Sequence, residues 1–305
     1  MRRWSWLLMV GIALGGLLAN VSCSEEEEVP PPEDQPEKEN TVELVAADAW
    51  DPACSPDDRK IVFVEAYHLT VYDLVSDAKT VITPDAPSMD YCPRKPAWLP
   101  GDVIAFIQKD ETTDECNIWT VPATGGTITK HDAVADPDSS LGADETGQYV
   151  FFTIVTDRLI YRLDLNTDTI VNCSREHPIG FAHYDPVKKP GENKVYYIER
   201  EIPFNSIPHG EYIYEVIASG GGYPRVVRDT SKPFLEGLTL STDDKYLVSA
   251  HRDGLFAYEY RTGNDTWLTR SSDVWTDKDR NPHYTYDGAD IVFERAESIY
   301  SCEAP

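Results

Sequence analysis

The stretch "WDPACSPDDRKIVFVEAYHLTVYDL", residues 50–74, decides the fold. A polar turn, "SPDDRK", leads into an alternating apolar run, "KIVFVE", and after a short gap a second such run follows, "LTVYDL". Side chains alternating at period two, bounded by Pro and Asp, read as antiparallel strands joined by tight turns.

The first run recurs along the chain. "KIVFVE" (60–65) is followed by "VIAFIQ" (103–108), "YVFFTI" (149–154), "KVYYIE" (194–199), "YLVSAH" (246–251) and "DIVFER" (290–295). Their equivalent positions, Phe63, Phe106, Phe152, Tyr197, Ser249 and Phe293, lie 43, 46, 45, 52 and 44 residues apart, a period typical of propeller blades. Each copy is followed by another strand-like run, such as "NIWTVP" (117–122) or "LIYRLD" (159–164), and five of the six by a fourth, among them "KTVIT" (79–83) and "DTWLT" (265–269). The sixth copy stops at "SIYSCEAP", while "TVELVA" (41–46) has no local partner. The sequence therefore predicts an all-β chain: a six-bladed β-propeller of four-stranded antiparallel blades, closed by the N-terminal strand (41–46) completing the last blade. Closure of that kind removes unpaired sheet edges.

The segment before the repeats is of another kind. Met1-Arg2-Arg3 and the apolar run Trp4–Val21 read as an export signal over residues 1–23. "NVSCSEEEE" resembles a bacterial lipobox with Cys23 as the lipidated residue, plain cleavage or an uncleaved anchor being the alternatives. Residues 24–40, rich in Glu and Pro, are expected to form a disordered tether. The reading is an exported monomer, anchored by lipid to the bacterial cell envelope on the periplasmic or outer-membrane side. The 305 residues carry 53 acidic against 27 basic side chains, a formal charge of −26, which repels phosphate backbones and disfavours nucleic-acid partners.

"DPACSPDDRKIVF" (51–63), "KPAWLPGDVIAF" (95–106) and "NPHYTYDGADIVF" (281–293) resemble the Pro-x-Trp-Ser-Pro-Asp-Gly repeat of TolB-like β-propellers, and "VIT" (81–83) and "WLT" (267–269) resemble that family's strand endings. The resemblance covers about residues 41–305 and is weakest in blades three and four, where "LGADETG" and "FAHYDPVKKPG" depart from the pattern. It implies an exported six-bladed propeller that serves as a protein-interaction platform in the envelope.

Cys92 precedes the first strand of blade two and Cys116 opens its third, so a Cys92–Cys116 disulfide is expected; Cys54, Cys173 and Cys302 fall inside strands, as small buried hydrophobes do. No cofactor and no metal site is expected: common hydrolase, zinc and nucleotide signatures are absent. An acidic rim is expected at one mouth of the channel, including Asp136, Asp138, Glu236, Asp277 and Asp279, with Phe204 and His209 on the long loop "REIPFNSIPHGE" (200–211) beside it. The primary reading is a non-catalytic scaffold binding an envelope protein or small ligand, a basic one among the partners expected. The alternative is a propeller enzyme, a polysaccharide lyase or hydrolase, with a metal or His site near the central channel; His183 and His283 are its candidates.

Overall fold

The computed structural model describes residues 42–84, 88–175, 181–201, 211–221, 223–230, 236–251, 253–270 and 278–305. The alternating runs become strands, and the polar turns between them become the reversals. β1 (Val42–Ala47) finds its partner at the far end of the chain. Blade 1 comprises β2 (Ala49–Cys54), β3 (Lys60–Glu65), β4 (His68–Asp73) and β5 (Ala78–Val81); blade 2 comprises β6 (Arg94–Leu99), β7 (Val103–Lys109), β8 (Cys116–Pro122) and β9 (Thr129–Val134). Blade 3 has β10 (Gly142–Ala143), β11 (Tyr149–Thr153), β12 (Ile160–Asp164) and β13 (Thr169–Asn172); blade 4 has β14 (Phe181–Lys188), β15 (Lys194–Glu201), β16 (Glu211–Ile217) and β17 (Arg225–Thr230). Blade 5 is built from β18 (Glu236–Leu240), β19 (Tyr246–His251), β20 (Gly254–Glu259) and β21 (Asn264–Trp267). Blade 6 takes β22 (Arg280–Tyr284), β23 (Asp290–Arg295), β24 (Ser298–Glu303) and, as its fourth strand, β1.

The expected closure is thus the observed one. β1 lies antiparallel to β24, with Val42 opposite Cys302 and Ala47 opposite Ser298. Two further contacts hold the same seam. The Ala49 N–H donates to the Glu297 carbonyl at 2.8 Å, and the Asp58 carboxylate accepts the N–H groups of Tyr286 and Asp287.

Each seam between neighbouring blades is filled by its own apolar cluster, because successive residues of a strand point to opposite faces. Phe63 packs with Ala46, Val292 and Ile299 toward blade 6. Its neighbours Val62 and Val64 pack with Ile104 and Phe106 toward blade 2. Three of the five other positions equivalent to Phe63 also place a fully buried phenylalanine in a seam, and Tyr197 fills the one between blades 3 and 4. Ser249 breaks the series: it is 1% exposed, and among the described residues its Oγ meets no hydrogen-bond partner.

Chemical denaturation of two variants tests this packing. Phe106→Ala is expected to lose about 3–5 kcal/mol through the cavity it leaves. Ser249→Ala is expected to gain about 1 kcal/mol by removing a buried hydroxyl with no partner; a loss at Ser249→Ala would contradict the assignment.

Candidate functional site

The innermost strands of five blades carry the same irregularity. A bulge shifts the register between Trp50 and Ala53, Arg94 and Ala97, Tyr184 and Val187, Glu236 and Leu238, and Arg280 and His283. At each bulge one residue takes a left-handed backbone: Asp51, Lys95, Asp185, Gly237 and Asn281, with φ between 48 and 65°. Asp, Asn and Gly accept this conformation most readily. At Gly237 glycine is also required for space, since a Cβ would stand 2.7 Å from Pro282 Cδ.

The bulges turn four polar side chains toward the propeller axis, where three of them, Asp51, Lys95 and Asn281, bond to one another across blades. Lys95 Nζ reaches Asp51 Oδ1 at 3.1 Å and Asn281 Oδ1 at 2.8 Å. Asn281 Nδ2 donates to Asp51 Oδ1 at 2.8 Å and to Glu294 Oε2 at 3.1 Å. Asp51 Oδ2 also accepts the Lys95 N–H at 3.1 Å. Asp185 performs the matching task on the other side: its two oxygens accept the N–H groups of Ser140 at 2.7 Å and Gly237 at 2.8 Å, joining blades 3, 4 and 5. Blade 3, whose inner strand β10 is only two residues long, has no left-handed residue at this level and is held through Ser140.

This polar layer is a floor. Asp51, Lys95 and Asn281 line both of two cavities, a funnel of about 1210 Å³ on the side of the β3–β4 and β23–β24 turns and a narrower channel of about 280 Å³ running to the opposite end. Burial works against the Lys95 ammonium, yet the carboxylates of Asp51, Asp185 and Glu294 hold its pKa above the ordinary lysine value. The Glu294 carboxyl is pushed up by its burial and by Asp51.

The funnel wall bears eight carboxylates against four cations. Asp48, Asp51 and Glu65 come from blade 1 and the strand before it, Asp138 from the approach to blade 3, Asp185 from blade 4, Glu236 from blade 5, and Glu294 and Glu297 from blade 6. The cations are Arg94, Lys95, Arg200 and Arg280.

Of the expected rim, Asp138 and Glu236 reach the funnel. Glu236 is bound by Lys278 at 2.5 Å, which with Arg280 outweighs its burial and lowers its pKa. Asp136 and Asp279 do not reach it. Asp136 is buried beneath the rim, where desolvation raises its carboxyl pKa and one oxygen accepts the Asp138 N–H. Asp279 is fully buried between blades 5 and 6, held by Thr269 and by two bonds from Arg295 at 2.5 and 2.9 Å. Cys23, Phe204, His209 and Asp277 lie outside the described residues. The expected Cys92–Cys116 bridge is not formed: both are free thiols lining one small pocket, and Cys92 Sγ donates instead to the Met89 carbonyl at 2.9 Å.

The two candidate histidines separate as well. His283 lines the narrow channel, where burial lowers its pKa and Nδ1 lies 2.9 Å from the Tyr284 carbonyl. His183 faces away from the channel and is completely buried. It stands between Ser174 Oγ at 2.8 Å and Glu199 Oε2 at 3.0 Å, an array with the order of a hydrolytic triad. Its chemistry is structural. Ser174 Oγ already accepts the Ile160 N–H at 2.9 Å and is 1% exposed. The same slot recurs in the next seam but one, where Thr269 Oγ1 accepts the Leu255 N–H at 2.9 Å and meets Asp279 and Arg295 in the places of His183 and Glu199. Among the described residues no group of three or more His, Cys, Asp or Glu is arranged to hold a metal ion.

Glu294 gives the floor a pH signature. Its folded-state pKa is raised above the unfolded value, so the stability it contributes is present below the unfolded pKa and is lost as pH rises through the folded one. Glu294→Gln, which keeps an acceptor for Asn281, is expected to be more stable than the parent at pH 7 and no more stable near pH 4. Urea unfolding at the two pH values reads this, and an advantage confined to pH 4 would contradict it.

No protein-family model and no curated protein matches the sequence. Solved structures share its fold. A putative TolB from Agrobacterium tumefaciens is 16% identical, with a TM-score of 0.59 over 87% of this chain and 91% of that one. A gluconolactonase from Xanthomonas campestris is 10% identical, with a TM-score of 0.65 over 88% and 91%. An oligogalacturonate lyase from Vibrio parahaemolyticus is 15% identical, with a TM-score of 0.56 over 84% and 77%. One architecture thus carries different functions in these proteins, and what the likeness shows for this chain is its fold: a six-bladed β-propeller of the kind found in TolB structures.

Proposed function

We propose that the protein is a non-catalytic receptor of the bacterial cell envelope, anchored by lipid at Cys23, whose funnel docks a basic segment of a partner. The observation that carries this reading is the excess of carboxylates on the wall of a wide cavity with a hydrogen-bonded floor. A field of one sign in a concave site with low-dielectric walls is focused outward and raises the local concentration of oppositely charged ligands. It would repel the anionic polysaccharides on which a lyase acts.

The direction of β1 fits an anchored receptor. Val42 lies opposite Cys302, near the turn that opens β23, whereas Ala47 lines the funnel. The chain therefore enters β1 at the end opposite the funnel. Among the described residues no helix is long and apolar enough to cross a membrane.

Capture of an immobilised decalysine peptide tests the docking reading. Reversing Asp48, Asp138 and Glu297 together to lysine is expected to abolish capture at low salt while leaving the unfolding midpoint nearly unchanged, since all three are exposed. Undiminished capture by a folded variant would overturn it.

A further inference from the structure

The rim of the funnel is not uniform. Where blades 1 and 6 meet, two aromatic rings and two carboxylates line the cavity within a few residues of one another. Trp50 and Tyr67 stand edge to face, with ring centroids 6.2 Å apart and planes at 64°. Trp50 is partly buried against the seam between blades 1 and 2, whereas Tyr67, lifted on the tight β3–β4 turn, is 42% exposed. The carboxylates are those of Asp48, at the turn from β1 into β2, and Glu297, on the β23–β24 turn. The Ala49 N–H bond to the Glu297 carbonyl at 2.8 Å ties these two turns together across the seam.

What distinguishes this corner is its ionic state. Glu65, cross-strand from Ala49, and Glu236, on blade 5, are occupied by Lys79 and Lys278 at 2.5 Å. Asp48 and Glu297 form no ion pair among the described residues, and both are exposed. An aromatic surface beside two unneutralised carboxylates matches a flat organic cation. A guanidinium is planar and weakly hydrated, stacks on a ring face and presents paired N–H donors to a carboxylate. An ammonium has the charge without the plane, and an anion would meet two like charges.

We propose that this corner is a guanidinium subsite that receives an arginine side chain from the partner segment. The proposal rests on the docking reading above and names the side chain that the closure seam selects. Tyr67 and Trp50 supply the stacking surface, and Asp48 and Glu297 supply the acceptors.

The experiment is calorimetric titration of the full-length protein with acetyl-arginine amide, and with acetyl-lysine amide for comparison. Saturable binding that favours the arginine compound is expected. Asp48→Asn with Glu297→Gln is expected to weaken it about 10-fold or more, the range of a lost charge-assisted hydrogen bond. Tyr67→Ala is expected to weaken it about 2- to 5-fold, the range of a partly exposed cation–π contact, with Tyr67→Phe close to the parent because the ring and not the hydroxyl acts. Asp102→Asn, on the exposed β6–β7 turn away from the funnel wall, serves as the control and is expected to leave the affinity within about 2-fold, as for an exposed charge at a distance. Absence of saturable binding, equal affinity for the lysine compound, or undiminished binding by the doubly neutralised variant would overturn the subsite. Those outcomes leave the funnel reading standing if charge reversal still abolishes decalysine capture, so the two failures are separable.

Discussion

The hydrogen bonds from the carboxylates of Asp51 and Asp185 to main-chain N–H groups of neighbouring blades are the interactions on which the centre of this propeller depends. Six innermost strands converge on one axis, and their main-chain groups there have no fourth-strand partner to complete a ladder. Left unpaired, each buried N–H would cost about 1–3 kcal/mol. Asp51 accepts from Lys95, and Asp185 accepts from Ser140 and Gly237. The left-handed bulges make this possible by rotating the side chain inward, and the proline after four of them, Pro52, Pro96, Pro186 and Pro282, brings no N–H that would need a partner. Lys95 then neutralises what would otherwise be a core of like charges.

A second repeating device works further out. Two residues past the end of an outer strand a hydroxyl, at Thr83, Ser174 and Thr269, accepts an N–H from the start of the strand beside it, that of Leu69, Ile160 and Leu255. In two seams the hydroxyl also meets a polar pair from the following blade, His183 with Glu199 or Asp279 with Arg295. The two pairs share no residue type, yet they occupy the same positions on paired strands. That interchange accounts for the Ser–His–Glu array as seam packing: the slot takes a buried polar group and a partner to orient it, and more than one residue pair meets the requirement.

The architecture was legible in the sequence because its causes are local. Alternation makes strands, Asp and Gly make turns, and the spacing of Phe63, Phe106, Phe152 and Phe293 sets the blade period. The missing fourth strand of blade 6 and the surplus run at its other end required one another, and they pair. The site was legible only in part. Charge was read along the chain as exposed rim, and Asp138 and Glu236 do line the funnel, but a residue's face is fixed by register, and register near the axis is reset by bulges. One position at the start of β22 separates Arg280, which lines the funnel, from Asp279 just before it, which is sealed in a seam. The recurring pairs Asp51-Pro52, Lys95-Pro96, Asp185-Pro186 and Asn281-Pro282 were the available signal for the floor, visible as a polar residue before proline at the same place in four repeats.

The course of β1 has a mechanical consequence. A load applied between a partner in the funnel and the chain preceding Val42 would run along the length of this strand, parallel to its contact with β24. Pulled in that direction, the hydrogen bonds joining the two strands are strained together in shear, and none can be opened singly from an end. A closing strand of the opposite polarity, entering at the funnel, would be peeled from the ring one bond at a time. The strand that completes the circle is therefore also oriented to bear tension.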